Sequence, residues 1–446
     1  MLRKKYYVIF SLLAMLVLMI CLAPSIMAEK TEEKVEITMS VWGMPWEDKL
    51  YTDFAIPRFE KENPDIKVNF VRLEDYWNKL IIRHAGGEAP DVMRNADEQY
   101  GQMRLRGALK PLTEYINDPE IGISLDDFHK IAMKSLKVDG EIWALPQDLS
   151  TKTVLFYNKA IFDEAGVDYP NSEWTIENLI DAAKKLTKGQ RPRLQQYGLT
   201  WSSPYFIISM IYGFGGRLWS EDRKRCVINS PENVKTLKFM QGLVYKYGVS
   251  PSSNEVSMSE ARELFKGGKV AMNIDGGWAI PSYTRDVPEL DFAVAPMPKA
   301  PLGTTTLLGQ CIWTMSSQTK HPKAAWKLIK YLSSFEVLKE YWQRTWVAAP
   351  ARLSLVFGKE FENIIGIEGI VPNIKTPERF EELLGWARYI IKNDKFTNDY
   401  VNAFWLPFRY QYLTPAAEQI FGPSPGDVES ILEEVENGTN KEIEGF

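Results

Sequence analysis

The strand-like run Val270 to Ile274 gives way to Asp275-Gly276-Gly277-Trp278, which sets an indole at the carboxyl end of a strand. The two glycines permit a sharp turn and close backbone approach there. The chain holds 14 tryptophans and 20 tyrosines, and several others also stand where strands run out into loops. Flat apolar rings suit the C–H faces of pyranoses, and Asp, Glu, Asn and Gln suit the hydroxyls at their edges, so this mixture is the raw material of a carbohydrate site. Most of the aromatics are nonetheless expected in the core, Trp326 and Tyr331 among them, because they lie within the helix that follows Pro322.

Acids could also do more than bind. A glycoside hydrolase needs two carboxylates roughly 5 to 9.5 Å apart, and no spacing along a chain reports that separation, so a secreted glycosidase stands as the alternative to a binder. Other chemistry has no visible signature. The three histidines, His84, His129 and His321, are each isolated from acids and cysteines at metal-ligand or triad spacing, and surface or capping roles suit them. Gly267-Gly268-Lys269 is followed by Val270 where a phosphate loop needs Ser or Thr, and Gly213-Phe214-Gly215-Gly216 lacks the third glycine of a dinucleotide fingerprint. Both read as turns, and no metal or cofactor is expected.

The first 28 residues carry Arg3, Lys4 and Lys5, an apolar run from Tyr6 to Leu22, and a small-residue stretch ending at Ala28, which is the pattern of a secretory signal. A membrane anchor is the alternative, but Pro24 to Ala28 has the character of a cleavage region and acidic Glu29 follows. Lipidation at Cys21 is disfavoured by the bulky Ile20 before it. Cleavage after Ala28 leaves 50 basic against 58 acidic residues, a formal net charge of -8. Nucleic acid is therefore an unsuitable partner, since that binding rests on clustered positive charge. Cys226 and Cys311 are the cysteines that remain, too few for a disulfide scaffold.

About 418 mature residues suggest two or three domains, and 45% hydrophobic content supports a core large enough to need no staples. No linker rich in Gly, Pro or Ser and no internal repeat divides the chain, so two lobes would be joined by crossing strands instead of a tether. Short β-rich runs alternate with amphipathic helices, the pattern of an α/β protein with mostly parallel sheets. Strands are predicted at Val35 to Val41, Ile66 to Val71 and Val270 to Ile274, with a helix carrying Phe54 and Phe59 between the first two. Ser230-Pro231 opens a helix with apolar positions Val234, Leu237, Val244 and Tyr247 and a stop at Gly248. Ser257 with Glu260 forms a capping box, and that helix stops at Gly267-Gly268. Later helices are predicted over Pro322 to Leu332, Pro415 to Phe421 and Asp427 to Val435.

The order of several short motifs carries more than their composition. Phe59-Glu60-Lys61-Glu62-Asn63-Pro64-Asp65-Ile66-Lys67-Val68 is followed by Gly87-Glu88-Ala89-Pro90-Asp91-Val92, Leu109-Lys110-Pro111-Leu112, and Asp139-Gly140-Glu141-Ile142-Trp143-Ala144-Leu145-Pro146 with Leu155-Phe156-Tyr157-Asn158-Lys159. Ser203-Pro204-Tyr205-Phe206, Asn273-Ile274-Asp275-Gly276-Gly277-Trp278 and Ala295-Pro296-Met297-Pro298 complete the series. Collinear over some 300 residues, it resembles the extracellular solute-binding proteins (family 1) of ABC-type sugar importers, the group that includes maltose-binding protein.

The resemblance implies a two-lobe periplasmic-binding-protein-like α/β fold, each lobe a parallel-rich sheet flanked by helices, with the ligand cleft between them. Lobe one would take residues 29 to 147 and 306 to 349, lobe two residues 148 to 305 and 350 to 446. It implies an exported monomer that captures an oligosaccharide by hinge closure and delivers it to ABC transporter permease subunits in the membrane, with no chemistry on the sugar. Positions matching the family's cleft are Asp97 and Glu98, as acceptors for sugar hydroxyls, and Tyr205 and Trp278, as stacking rings; Trp42 and Trp46 fall where the family places a cleft loop. Asp148, Trp201 and Gln310, with Gln147, follow from neighbouring positions, because one extra residue stands between Pro146 and Asn158. An aromatic cluster at Trp386, Phe404 and Trp405 departs from the pattern, and one of its tryptophans is a further candidate to face the ligand. An organic cation held in an aromatic cage is the alternative ligand within the family.

Overall fold

Alternation along Val35–Val41 puts Ile37, Met39 and Val41 on one face, where they join Trp313, Trp326 and Leu328 in a single core cluster. This strand founds the first of two lobes in the computed structural model, which describes residues 34–43, 45–190, 193–303, 306–346, 348–362, 376–392, 396–397 and 402–445. The proposed signal therefore lies outside the described residues. The first sheet runs in the order Ile66–Arg72, Val35–Val41, Val92–Ala96, Cys311–Ser316, Leu109–Lys110, with Ala144–Pro146 also paired to Cys311–Ser316. Val35–Val41 is parallel to both of its neighbours, whereas Cys311–Ser316 is antiparallel to all of its own.

The second sheet runs Lys188–Gln190, Arg193–Trp201, Val270–Asp275, Val154–Asn158, Phe292–Ala295. Arg193–Trp201 and Val270–Asp275 are parallel, and Val154–Asn158 is antiparallel to both of its neighbours. Parallel pairing thus joins strands linked by helices within a lobe. The central antiparallel strand of each sheet is the one the chain lays down on arriving from the other lobe.

The passages between lobes are themselves strands. Asp148–Thr151 and Thr306–Gly309 pair antiparallel in a small separate sheet, edged by Ala349–Pro350 and Phe396–Thr397. Leu149 and Leu308 from this sheet share a core cluster with Phe156, Trp342 and Trp386. The junction is therefore packed like an interior, where deleting a Leu side chain typically costs about 2 to 5 kcal/mol.

Local signals set most helix starts. Ser230 accepts from the Asn233 amide with Pro231 in the first turn, and Ser257 with Glu260 makes the reciprocal capping box. Two helices end elsewhere than expected. Pro231–Tyr245 stops short of Tyr247, since the chain turns at Gly248 with φ 65°. The last helix, Val428–Glu444, continues well past Val435 and through Gly438, because Tyr412 packs there and donates to the Gly438 carbonyl at 3.1 Å. Cys226 and Cys311 are free thiols. Among the described residues no helix is long and apolar enough to cross a membrane, and no His, Cys, Asp or Glu group is arranged to hold a metal.

Candidate ligand-binding cleft

Val270–Asp275 is buried along its whole length, and Asp275 at its end is locked by two bonds from Arg262, Nε to Oδ2 and Nη2 to Oδ1, both 2.8 Å. Asp275 Oδ1 also accepts the Gly276 amide at 2.7 Å, which fixes the turn. The half-buried Trp278 ring then folds back over Gly276: a Cβ there would lie 2.3 Å from three of its carbons. Gly277 is equally hemmed in, by Thr151 and by the Trp386 ring, so both glycines are required by space. Tyr205 opens the helix Tyr205–Gly213 and meets Trp278 edge to face, with ring centroids 6.4 Å apart. Together they form the second lobe's wall of a cleft of about 900 Å³.

The floor is ionic. Glu98, from the helix Asp97–Leu105 that follows the strand Val92–Ala96, accepts from Lys152 Nζ at 2.6 Å and from Arg409 Nη1 at 3.0 Å. The Tyr205 hydroxyl donates to Glu98 and accepts from Arg409 at 2.8 Å. Burial opposes ionisation of Glu98, but Lys152 and Arg409 outweigh it and hold its carboxyl at about 2. Its neighbour Asp97 is affected in the opposite sense. Asp97 is 1% exposed, its carboxylate oxygens accept no hydrogen bond among the described residues, and Lys152 Nζ stands 3.8 Å away. Burial, with the charge of Glu98 adding, pushes Asp97 up to about 7 against the pull of Lys152.

The first lobe's wall is Trp42 against Trp77, centroids 5.5 Å apart, with the Arg94 guanidinium 5.4 Å from the Trp42 ring. Arg94 is buried and donates to the Trp42 carbonyl and Glu47, each at 2.8 Å, and to the Tyr341 hydroxyl at 3.2 Å. Asp148 sits 3.7 Å from Arg94 and accepts from the Cys311 amide and the Tyr341 hydroxyl, both at 2.9 Å. Burial raises the Asp148 pKa above the usual carboxylate value, with Arg94 working against the shift. Gln310 also lines the cleft and donates to Ser135 at 2.7 Å.

Trp42, Glu98, Asp148, Tyr205, Trp278 and Gln310 are thus brought to one cavity. Asp97 lies behind Glu98 and does not line it, and Gln147 is buried with its carbonyl 3.4 Å from the Tyr51 hydroxyl. Trp46 falls in the short helix Pro45–Glu47, and its side chain lies outside the described residues. Trp201 lines a different hollow, because its ring leans on Phe206 and Phe421, away from Tyr205. In the aromatic cluster, Trp405 is wholly buried and stacks beneath Tyr205, while Trp386 packs behind Gly277 and donates to the Leu383 carbonyl at 2.6 Å. Neither lines the cleft. Trp77, Lys152 and Arg409 were not among the sequence candidates. Arg409 carries one legible signal, its place four residues after Trp405, one helical turn on.

The model of the family "Bacterial extracellular solute-binding protein" matches residues 46–339 of the chain. A multiple sugar-binding protein of Streptococcus mutans is 24% identical over 332 residues, 71% of this chain and 75% of that one. An ABC substrate-binding protein from Listeria monocytogenes, solved in complex with cycloalternan, superposes with a TM-score of 0.77 at 27% identity, covering 93% of this chain and 100% of its own. The maltose/maltodextrin-binding domain from Bdellovibrio bacteriovorus, bound to maltotriose, gives a TM-score of 0.71 at 21% identity, over 92% and 100% of the two chains, and speaks for the fold.

Proposed function

The chain belongs to the bacterial extracellular solute-binding protein family, and on that premise we propose that it captures an oligosaccharide between its lobes and delivers it to the permease subunits of an ABC transporter. One observation carries the reading: aromatic pairs face the cleft from both lobes, Trp42 with Trp77 and Tyr205 with Trp278, around carboxylates, guanidiniums and the amide of Gln310. Rings on opposite walls bracket the faces of a sugar while the polar groups meet its hydroxyls. The bound sugars of the structural relatives from Listeria and Bdellovibrio, cycloalternan and maltotriose, point to the same ligand class.

In this reading the sugar leaves unchanged. The carboxylates lining the cleft are engaged by cations: Glu47 and Asp148 by Arg94, Glu98 by Lys152 and Arg409, and Asp286 by Lys266. Asp97, whose protonation burial pushes up to about 7, sits behind the cleft wall. An organic cation is a poorer ligand, because Arg94, Lys152, Arg262, Arg285 and Arg409 all line the cavity. The mature chain is read as an exported monomer starting after Ala28. Its lobes divide at the crossing sheet, residues 29–147 with 306–349 against 148–305 with 350–446. Ala351 and Leu355, which pack with Phe128 and Leu338, extend the first lobe slightly beyond that line.

A thermal-shift screen of the mature protein against linear α-1,4-glucans, cyclic glucans, arabino-oligosaccharides and xylo-oligosaccharides tests the reading. A concentration-dependent rise in melting temperature with at least one is expected, and silence across all of them sinks it. Prolonged incubation with the tightest binder should leave it intact; reducing ends that appear in proportion to protein would favour a glycosidase.

A further inference from the structure

Trp201 was expected at the ligand, yet it opens onto a second hollow of about 320 Å³. We propose that this hollow is an additional carbohydrate subsite, one that holds the end of a chain longer than the cleft accommodates. The inference rests on the oligosaccharide reading above.

Three observations converge on it. The first is position. Trp201 ends the strand Arg193–Trp201, directly beside Ile274 of the parallel strand that delivers Trp278. Both indoles therefore stand at the same carboxyl edge of one sheet, where open α/β sheets place ligands. The helix Met258–Lys266 stands between the two sites: Met258 and Ala261 line the hollow while Arg262 lines the cleft.

The second is chemistry. Phe206 and Phe421 brace the half-buried Trp201 ring, with centroids 5.6 and 5.7 Å away. The exposed Asn254 and Glu418 stand on the rim, so an apolar platform is bordered by an amide and a carboxylate. That is the same pairing of ring and polar edge that the cleft presents. The size lies at the lower end of ligand pockets, roughly 300 to 1,000 Å³.

The third is proximity. Only a small void of about 10 Å³ lies between the two spaces, and it shares Ile207, Met258, Thr414 and Ala417 with the hollow and Tyr205 and Arg409 with the cleft.

Isothermal titration with linear α-1,4-glucans of two to seven units tests the subsite. For the wild-type protein we expect affinity to rise about 10-fold or more from the disaccharide to the longer members. In Asn254→Trp, which fills the hollow from an exposed loop, and in Trp201→Leu, which removes the platform, that gain disappears while disaccharide affinity stays within 2-fold of wild type. The same length dependence in wild type and both variants, or no length dependence in wild type, overturns the subsite alone. Loss of disaccharide binding in both variants also overturns it, by making these residues supports of the cleft. Absence of heat with every member in wild type also overturns the subsite, while the wider oligosaccharide reading is decided by the thermal-shift panel.

Discussion

Glu98 and Arg409, 311 residues apart in sequence, meet at 3.0 Å beneath the cleft. Glu98 follows a strand of the first sheet, and Arg409 comes from the C-terminal helices packed on the second, so one carboxylate ties the lobes together with Lys152 of the crossing segment. Glu98 is almost completely buried, and losing its charge would take from both cations the carboxylate they bond. Glu98→Gln should cost about 3 to 5 kcal/mol of stability, the range for breaking a buried ion pair from one side. Urea denaturation at pH 7 checks this, and a cost under about 1 kcal/mol would show that solvent replaces the carboxylate.

Asp97 gives the pH dependence its sign. Its folded pKa of about 7 lies above the unfolded value of roughly 3.9, so the folded state holds the proton more tightly. Native stability from this group therefore falls as pH rises from about 4 through 7, and levels off above. Glu98, held at about 2, contributes the opposite: its stabilisation is complete above its unfolded value near 4.3 and is lost as pH falls toward 2. Asp97→Asn should therefore gain on the wild type between pH 5 and pH 8, by about 2 to 3 kcal/mol. A mutant-to-wild-type difference that is flat with pH would rule out this titration.

Trp278 is expected to be a binding residue. Its replacement by Ala should weaken oligosaccharide binding by about 30-fold, roughly 2 kcal/mol. A core role would instead show as about 3 to 5 kcal/mol of lost folding stability. Calorimetric titration beside a denaturant melt separates the two, and unaltered affinity removes Trp278 from the site.

Gly276→Ala offers a second way to move the same ring. Gly276 has φ -74°, an ordinary value for any residue, so the added methyl acts only by collision with the indole. Affinity should fall about 10-fold or more, and the double variant with Trp278→Ala should bind no worse than Trp278→Ala alone. Additive losses would mean the glycine acts on something other than this ring.

Lobe closure is the expected response to ligand, with the crossing sheet as the segment that would bend. Saturating ligand should reduce the radius of gyration in small-angle scattering. An unchanged profile at demonstrated saturation would exclude lobe closure as the response to ligand.

What could be read from the sequence was mostly local. Val35–Val41 and the Ser257–Glu260 capping box are complete within a few residues, and the structure has both where expected. Trp278 could be aimed because Gly276 and Gly277 precede it. Trp201 could not, since it too stands at a strand's carboxyl end, and the flank it takes is shared with Phe421, 220 positions away along the chain. Lys152 and Arg409 are ordinary charges in sequence and acquire meaning only by converging on Glu98. The last helix outruns its expected end for the same reason: Tyr412 lies on a separate segment, and its contact with Gly438 is tertiary.

The position of Cys311–Ser316 in the first sheet also sets an order of events during synthesis. That strand lies between Val92–Ala96 and Leu109–Lys110 and pairs with Ala144–Pro146 as well. A nascent chain that has already emitted its first 300 residues still lacks the strand that holds the edges of its N-terminal lobe together. The sheet can close only after the ribosome has moved past residue 316, so most of the polymer emerges before its N-terminal part can become a finished body. Such late, long-range pairing is slow to form. On the proposal that the chain is exported, this late pairing postpones completion of the N-terminal lobe until most of the chain has been made.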